Sequence, residues 1–331
     1  MKNKKMIYLL ALIAILSSCS NANNEENDFR AAPADGGKSL RITRYDGKKQ
    51  VVRIPSKLFG MTVTEIGDNV FTEKDILKVT IPNSVTAIGN GVFRNCENLF
   101  DITIPNSVTE IGTDAFRGCE NLTKIIIPNK ITAIASETFR DCKKLVSVTI
   151  PLSVTSIGSD AFNGCTALTI ILPNSITEIG ENAFANTAFS DITIPASVTE
   201  IGDAAFAYSG LTNITIPNTV TSIGISSFFQ CVKLESVTIS NSVANIGSAA
   251  FRNCIALTNI TIPSGVKSIG DFVFFNCTNL TSVTFEADIP ANDIGSPYNP
   301  LFPGDLRSKY LAEGKGTYTR PNNDAYTWTK Q

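Results

Sequence analysis

The stretch DITIPNSVTEIGTDAFRGCENL, residues 101–122, decides the fold of this protein. Its first five letters return unchanged at residues 191–195, and its VTEIGxxAF motif returns shortly after them. Units of 22 or 23 residues that share this pattern occur ten times between residues 63 and 286. Self-similarity at a fixed period of this length indicates a repeat architecture rather than an ordinary domain.

Two apolar positions fix the register of the units. An Ile-Gly pair marks each unit, with Ile134-Ala135 as the one variant, and a phenylalanine follows each isoleucine by five residues. The phenylalanines are Phe71, Phe93, Phe116, Phe139, Phe162, Phe184, Phe206, Phe228, Phe251 and Phe274. A register shared by ten units predicts that all of them fold in the same way.

Each unit reads as one coil. In Ile102-Thr103-Ile104, apolar and polar residues alternate, which predicts a short strand, and Pro105 ends it because proline has no N–H for a sheet. A second extended piece at 108–111 leads through a glycine turn to a helical or 3₁₀ segment at 113–116. Such a coil cannot bury its apolar face alone, so the coils must stack. The prediction is a mainly β repeat solenoid, with a curved parallel sheet and short helical or 3₁₀ turns on the opposite side.

The pattern L-x-x-I-x-I-P-x-x-V-T-x-I-G-x-x-A-F-x-x-C resembles the Treponema-type leucine-rich repeats of BspA-like surface proteins. The resemblance covers residues 39–331 and implies a leucine-rich-repeat solenoid. It also implies a cell-surface adhesin or host-interaction protein, because that is how the family is usually described.

The segments outside the ten repeats at 63–286 are predicted to close the solenoid. Residues 39–62 carry an Asp46-Gly47 hairpin signal that suits an N-terminal cap. Residues 287–331 contain a short helix candidate at 305–314 and suit a C-terminal cap, because an open solenoid end aggregates.

The N-terminus indicates export. Three lysines lead into an apolar run that is too short to span a bilayer, and Leu16-Ser17-Ser18-Cys19 resembles the lipobox of bacterial lipoproteins. The resemblance implies a signal peptide at 1–18 and a membrane anchor through lipid on Cys19. The polar stretch after it predicts a flexible tether over 19–38 and is similar to the export tags of surface lipoproteins. We therefore expect an outer-membrane or cell-surface lipoprotein of a diderm bacterium.

Composition argues against several functions. The chain has no histidine, so mechanisms that use a catalytic histidine and sites that use histidine ligands are excluded. Its net charge is −2 and it has no basic stripe, so nucleic acid is not an expected partner. The carboxylates are scattered, and no nucleophile has a nearby base in the sequence. We expect neither catalysis, nor a cofactor, nor a metal.

Seven cysteines stand three residues after a repeat phenylalanine, and we interpret them as a structural column of buried packing thiols. Coils stack at about the strand spacing, which is wider than a disulfide prefers and presents thiols in a line rather than around a metal. Thr187 and Ser209 occupy the same position in two units, as packing allows. The cysteines are Cys96, Cys119, Cys142, Cys165, Cys231, Cys254 and Cys277.

The candidate ligand-binding residues are those that break the consensus on the N-terminal half of the strand face. Eight strands carry an outward threonine, which isoleucine replaces in two, and apolar residues or lysines stand beside this position. The set is Leu77, Lys78, Phe100, Lys124, Ile126, Val146 and Ile171. An apolar cluster with a positively charged rim is typical of an interaction site. The alternative is that Leu77 and Phe100 fold under the N-terminal cap and the isoleucines only fill strand positions.

These observations predict a lipid-anchored binding scaffold, an adhesin for a protein or glycan ligand. The alternative is a structural or envelope-associated solenoid without a discrete ligand. A binder is expected to gather its departures from consensus in one exposed patch, whereas a spacer scatters them.

Overall fold

The computed structural model describes residues 26–296, 298, 299 and 301–331. The predicted signal peptide and Cys19 lie outside the described residues. Within them the chain forms a parallel β-solenoid of about eleven turns, which confirms the predicted fold class.

The strands are short. In chain order they are Phe29–Ala34 (β1), Ser39–Tyr45 (β2), Val51–Arg53 (β3), Lys57–Leu58 (β4), Met61–Ile66 (β5), Lys78–Thr80 (β6), Ala87–Ile88 (β7), Asp101–Thr103 (β8), Glu110–Ile111 (β9), Lys124–Ile126 (β10), Ala133–Ile134 (β11), Ser147–Thr149 (β12), Ser156–Ile157 (β13), Glu178–Ile179 (β14), Glu200–Ile201 (β15), Asn213–Thr215 (β16), Ser222–Ile223 (β17), Ser236–Thr238 (β18), Asn245–Ile246 (β19), Asn259–Ile262 (β20), Ser268–Ile269 (β21), Ser282–Phe285 (β22), Gly316–Thr319 (β23) and Thr329–Lys330 (β24). Within the described residues, one α-helix, α1, spans Leu306–Glu313.

The strands before each turn proline form the first ladder. It is made of separate parallel groups, β3-β6-β8, β10-β12, β16-β18 and β20-β22, so it is interrupted after β8, after β12 and after β18. The three-residue strands bury their middle residue and turn the flanking residues outward, as the alternating pattern predicts, except that Val237 in the middle of β18 is half-buried. The four-residue strands β20 and β22 bury their second and fourth residues.

The Ile-Gly positions form the second ladder, which is more continuous. One group joins β2, β5, β7 and β9, and the other joins seven strands from β11 to β21 in parallel register. Ile157 pairs with Ile179, and Ile179 with Ile201, so each isoleucine lies beside its equivalent in the next coil. This alignment keeps every side chain in a column of equivalent residues.

The third side of each coil, here called the turn side, is not helical. In every repeat, the residue two positions before the phenylalanine and the residue two positions after it have left-handed φ angles, such as Asp114 at 57° and Gly118 at 69°. Left-handed residues cannot continue a helix of L-amino acids. The backbone bonds to the next coil instead, as in the 2.9 Å bond from the Phe116 N–H to the Thr138 carbonyl. The segment predicted as helical or 3₁₀ is therefore a pair of turns.

The core is a continuous column of stacked rings. Successive repeat phenylalanines have ring centroids 5.2 to 5.6 Å apart and nearly parallel planes. Tyr45 extends the stack at one end and Phe302 at the other, each with its centroid 5.1 Å from the next ring. The stack joins all coils into one hydrophobic core.

The seven repeat cysteines lie in the core as free thiols. Each Sγ donates to the carbonyl of the phenylalanine one coil earlier, as Cys142 does to Phe116 at 3.1 Å. Burial raises the pKa of Cys96 to about 12 and that of Cys231 to about 11, so these thiols stay protonated near neutral pH. The side chain therefore acts as a small apolar group with one weak hydrogen bond.

The N-terminal boundary differs from the prediction. Residues 29–34 of the predicted tether form β1, which pairs antiparallel with β2, and Phe29 is fully buried against Tyr45. The predicted hairpin at Asp46-Gly47 is wrong, because β2 and β3 belong to different sheets. The hairpin lies instead at Phe59-Gly60, between β4 and β5, where both residues have positive φ. The first coil thus begins inside the segment assigned to tether and cap.

The C-terminal segment closes the last coil with a strand. Strand β23 pairs antiparallel with β22, and β24 pairs with β23, so the edge of the first ladder is covered. Arg320 Nε donates to the Leu280 carbonyl at 2.7 Å, and its guanidinium lies over the buried Trp328 ring. Helix α1 falls within the helix candidate at 305–314.

Candidate functional site

The structure places the predicted binding residues on one face of the first ladder, where four are exposed and three are half-buried. Ile126 and Ile171 are 69% and 87% exposed, and Val146 and Lys124 are exposed as well. Leu77, Phe100 and Lys78 are half-buried. The isoleucines face solvent because the strand alternation that buries Ile125 and Ile170 turns their neighbours outward.

A first hollow lies where the first ladder is interrupted between β8 and β10. Its volume is about 550 Å³, and the residues that line it include Phe100, Lys124 and Ile126 together with the Ile104-Pro105 end of the strand. The two strands do not form one sheet here, so side chains rather than a continuous ladder shape the surface.

A second hollow lies on the other side of the β10-β12 pair, at the next interruption. It has a volume of about 610 Å³ and is lined mainly by apolar residues, among them Val146, Ile171 and Pro173. Thr149 lines it too, and pairs with Ile126 in the adjacent strand. The two hollows therefore flank one pair of strands.

The charge around the hollows differs from the predicted positive rim. Lys78 Nζ lies 2.5 Å from a carboxylate oxygen of Asp101, so its charge is paired within the chain. Among the described residues, no carboxylate lies within ion-pairing distance of Lys124. Lys124 lines the first hollow and is the cation that the structure leaves available there. Leu77 lines neither hollow.

An exposed apolar residue beside the second hollow was not predicted from the sequence. Leu152 is 76% exposed and replaces the usual asparagine of the Pro-Asn-Ser turn, two residues after Ile150 in the wall of the second hollow. A comparison of turn residues between units contains this signal, since the other proline turns place a small or polar residue there.

A polar groove runs along the C-terminal half of the second ladder. Its volume is about 790 Å³, and Glu200, Asp203, Asp271 and Asp293 line it without any lysine or arginine. Asp203 accepts the Ile225 N–H at 2.6 Å, and Asp271 accepts the side-chain amide of Asn299 at 2.8 Å. These two carboxylates thus order the turns between coils. Among the residues that the structure describes, no cluster of three or more acidic or cysteine side chains could hold a metal ion.

None of the helices in the described ranges combines the length and the apolarity needed to cross a bilayer.

The fold and the repeat geometry define a leucine-rich-repeat solenoid. Residues 64–189 and 177–295 match the family described as BspA type leucine rich repeat region (6 copies). The chain belongs to this family, since the match covers more than half of it.

Solved structures of bacterial leucine-rich-repeat proteins resemble this chain. A leucine rich cell surface protein from Faecalibacterium prausnitzii is 27% identical, with 80% of this chain and 88% of that one covered and a TM-score of 0.50. A repeat protein from Bacteroides ovatus is 24% identical over 84% and 91% of the two chains, with a TM-score of 0.48. The T. pallidum leucine rich repeat protein is 24% identical over 71% and 91%, with a TM-score of 0.46. A search of curated proteins found no match.

Proposed function

We propose that this protein is a lipid-anchored binding scaffold at the cell surface, an adhesin for a protein or glycan ligand. Membership of the BspA-type family supports a binding scaffold, and the similar F. prausnitzii protein is a cell surface protein. The Leu16-Ser17-Ser18-Cys19 motif supports export and an anchor through lipid on Cys19.

The ligand binds, in this proposal, across the two hollows of the strand face. The observation that carries the proposal is the exposure of Ile126 and Ile171 at positions where other strands of the first ladder carry threonine. Apolar side chains that stay exposed contribute no burial to folding, whereas their burial under a partner would stabilise the complex. Both line hollows of several hundred Å³ that flank the same pair of strands, so one ligand can contact both.

The double variant Ile126→Thr/Ile171→Thr tests the surface. We expect it to weaken ligand binding tenfold or more, as loss of interface anchors does, and to leave stability nearly unchanged because threonine is the usual residue here. The full-length protein is applied to an array of purified extracellular-matrix proteins and glycans, and every probe bound by the wild type is titrated with the variant.

A matched control is Ile225→Thr, which makes the same change at an exposed residue beside the polar groove. It is expected to bind like the wild type. Unchanged binding by the double variant would exclude the strand face as the binding surface. A wild-type protein that bound no probe on the array would favour the alternative of a structural solenoid.

A further inference from the structure

The turn side of the N-terminal coils carries a column of arginine–carboxylate pairs. Each arginine directly follows a repeat phenylalanine, and its partner stands two residues before the next repeat phenylalanine. The closest distances are 3.8 Å for Arg94 to Asp114, 2.7 Å for Arg117 to Glu137 and 3.6 Å for Arg140 to Asp160. The repeat geometry thus places a cation beside an acid in the following coil.

Arg252 occupies the same position near the other end, but Phe272 stands where its acid would be. Its guanidinium carbon lies 5.2, 5.4 and 5.9 Å from the ring centroids of Phe275, Phe272 and Phe229. Its Nε is buried without a hydrogen-bond partner, and within the described ranges no carboxylate lies within 4.0 Å of it. Arg252 as a whole is half-buried, and ring faces offset part of the cost of partly desolvating its charge, but they do not replace an anion.

The surroundings of Arg252 contain backbone strain as well. Phe272 and Tyr208 both have a φ of 58°, at positions where most other coils use asparagine, aspartate or glycine and no other coil has an aromatic residue. Left-handed φ is unfavourable for a bulky side chain, so these two coils carry a strain that coils with asparagine or glycine avoid. Tyr208 is 50% exposed and meets Phe229 edge-on at 5.3 Å.

Two further exposed apolar residues continue this surface along their coils. Val232 and Ile255 are exposed and follow Phe229 and Arg252 by three residues each. Tyrosine, phenylalanine and arginine that cluster on a partly apolar surface are the composition of protein-binding hot spots. A carboxylate is the anion that a guanidinium holds with two parallel hydrogen bonds.

We propose that the Arg252 cluster, which comprises Arg252, Tyr208, Phe229, Phe272 and Phe275, docks a partner protein. The partner places an aspartate or glutamate against Arg252 and covers the rings with apolar side chains on either side of that acid. It supplies the carboxylate that Asp114, Glu137 and Asp160 provide inside the N-terminal coils. The cluster lies on the turn side, so this site does not depend on the strand-face site.

A peptide-display selection tests the proposal. A random linear library is selected on the immobilised full-length protein and, in parallel, on Arg252→Gln. We expect the peptides enriched only on the wild type to contain an acidic residue flanked by apolar ones. Their synthetic versions should bind Arg252→Gln at least tenfold more weakly, and exchange of the peptide acid for its amide should cause the same loss.

Phe272→Glu is the sharper variant, because it restores inside the chain the acid that Glu137 supplies to Arg117. Glu137 has a φ of 56° at the equivalent position, so the backbone accepts the change. We expect it to fold and to lose peptide binding, while Asn182→Glu, which adds an acid at the equivalent position of a coil outside the cluster, retains binding within a few-fold. Selected peptides that lack an acid, or that bind Arg252→Gln equally, would overturn the proposal. A selection that yields no Arg252-dependent peptide would also overturn it. The same holds if Arg252 binds a polyglucuronate probe and no peptide.

Discussion

At the scale of single residues, the turn side depends on side chains that tolerate left-handed backbone. Asparagine, aspartate and glycine occupy many of these positions, for example Asn95, Asp141 and Gly164. Asparagine and aspartate adopt this conformation more readily than other non-glycine residues, and glycine adopts it without steric cost. Ala204 and Ala249 adopt it too, with φ of 51° and 56°. The Cβ of each of these alanines is sterically strained in this conformation, so each alanine lowers the stability of its coil.

Ala249→Gly is therefore expected to stabilise the protein. Removing the Cβ relieves a steric cost of about 1–2 kcal/mol, and the extra freedom of glycine in the unfolded chain returns about 0.5–1 kcal/mol of it. The melting temperature should rise. The neighbouring Ala250→Gly is the control, because Ala250 is fully buried and lacks a positive φ, so its melting temperature should fall. A fall in both variants would contradict the assigned strain.

The cysteine column predicts a loss of stability in alkali. Burial raises the folded-state pKa of Cys165 and Cys277 to about 12, above an unfolded value of ~8.5. Below pH ~8.5 both states hold the proton, so this stabilisation is fully present. As pH rises from there towards 12, the unfolded chain ionises first and the free energy of unfolding falls.

Cys165→Ser measures the share of one thiol, since serine does not ionise and Ser209 already occupies an equivalent position. Each buried thiol accounts for a fall of up to about 1.4 kcal/mol per pH unit. When urea unfolding is compared at pH 7, 9 and 10, the free energy of unfolding of the variant should therefore fall less steeply with pH than that of the wild type. The difference in slope should be up to the amount that one thiol accounts for. Equal slopes would mean that Cys165 ionises as readily in the folded protein as in the unfolded one.

At the scale of elements, the end of the first ladder is protected by chain that is not part of a repeat. Trp328 is fully buried, and its Nε1 donates to the Pro303 carbonyl at 2.7 Å, so it fixes β24 and α1 against the last coil. Strand β23 covers the edge of β22, which would otherwise offer unpaired backbone groups to another molecule.

Trp328→Ala should release this cap. Truncation of a buried tryptophan costs about 3–5 kcal/mol, and an exposed β22 edge should promote association. We expect a lower melting temperature and a concentration-dependent increase in particle size by light scattering. Tyr326→Ala, at a residue that is 71% exposed, is the matched control and should behave like the wild type. Monodisperse Trp328→Ala protein would show that β22 is protected in another way.

At the scale of the whole molecule, a single anchor would hold the entire solenoid at the membrane. The predicted anchor, Cys19, lies outside the described residues, within which the first strand begins at Phe29. We expect Cys19→Ala to abolish incorporation of a metabolic fatty-acid label and to leave the chain unprocessed or soluble, because one thiol carries the lipid. Cys165→Ser should be labelled like the wild type. Equal labelling of Cys19→Ala would refute the lipoprotein assignment.

The repeat period was sufficient to predict the fold and the exposure of Ile126 and Ile171. A unit with an isoleucine and a phenylalanine in fixed register can bury them only against an identical unit, so stacking follows from the sequence. The columns of phenylalanine and cysteine follow for the same reason. The missing acid beside Arg252 can also be read from the repeat pattern, because aligning Arg252 with Arg117 places Phe272 at the position of Glu137.

Only the tertiary structure decided where the repeats begin, where the first ladder is interrupted and which charges remain unpaired. Residues 29–45 have no Ile-Gly pair. They nevertheless form β1 and β2, and β2 pairs with β5, because an open solenoid end would leave its edge strand unpaired. The interruption beside β10 and the pairing of Lys78 with Asp101 depend on side-chain packing between neighbouring coils. A repeat pattern fixes which residues are neighbours, but the distances between their atoms are set by how those side chains pack.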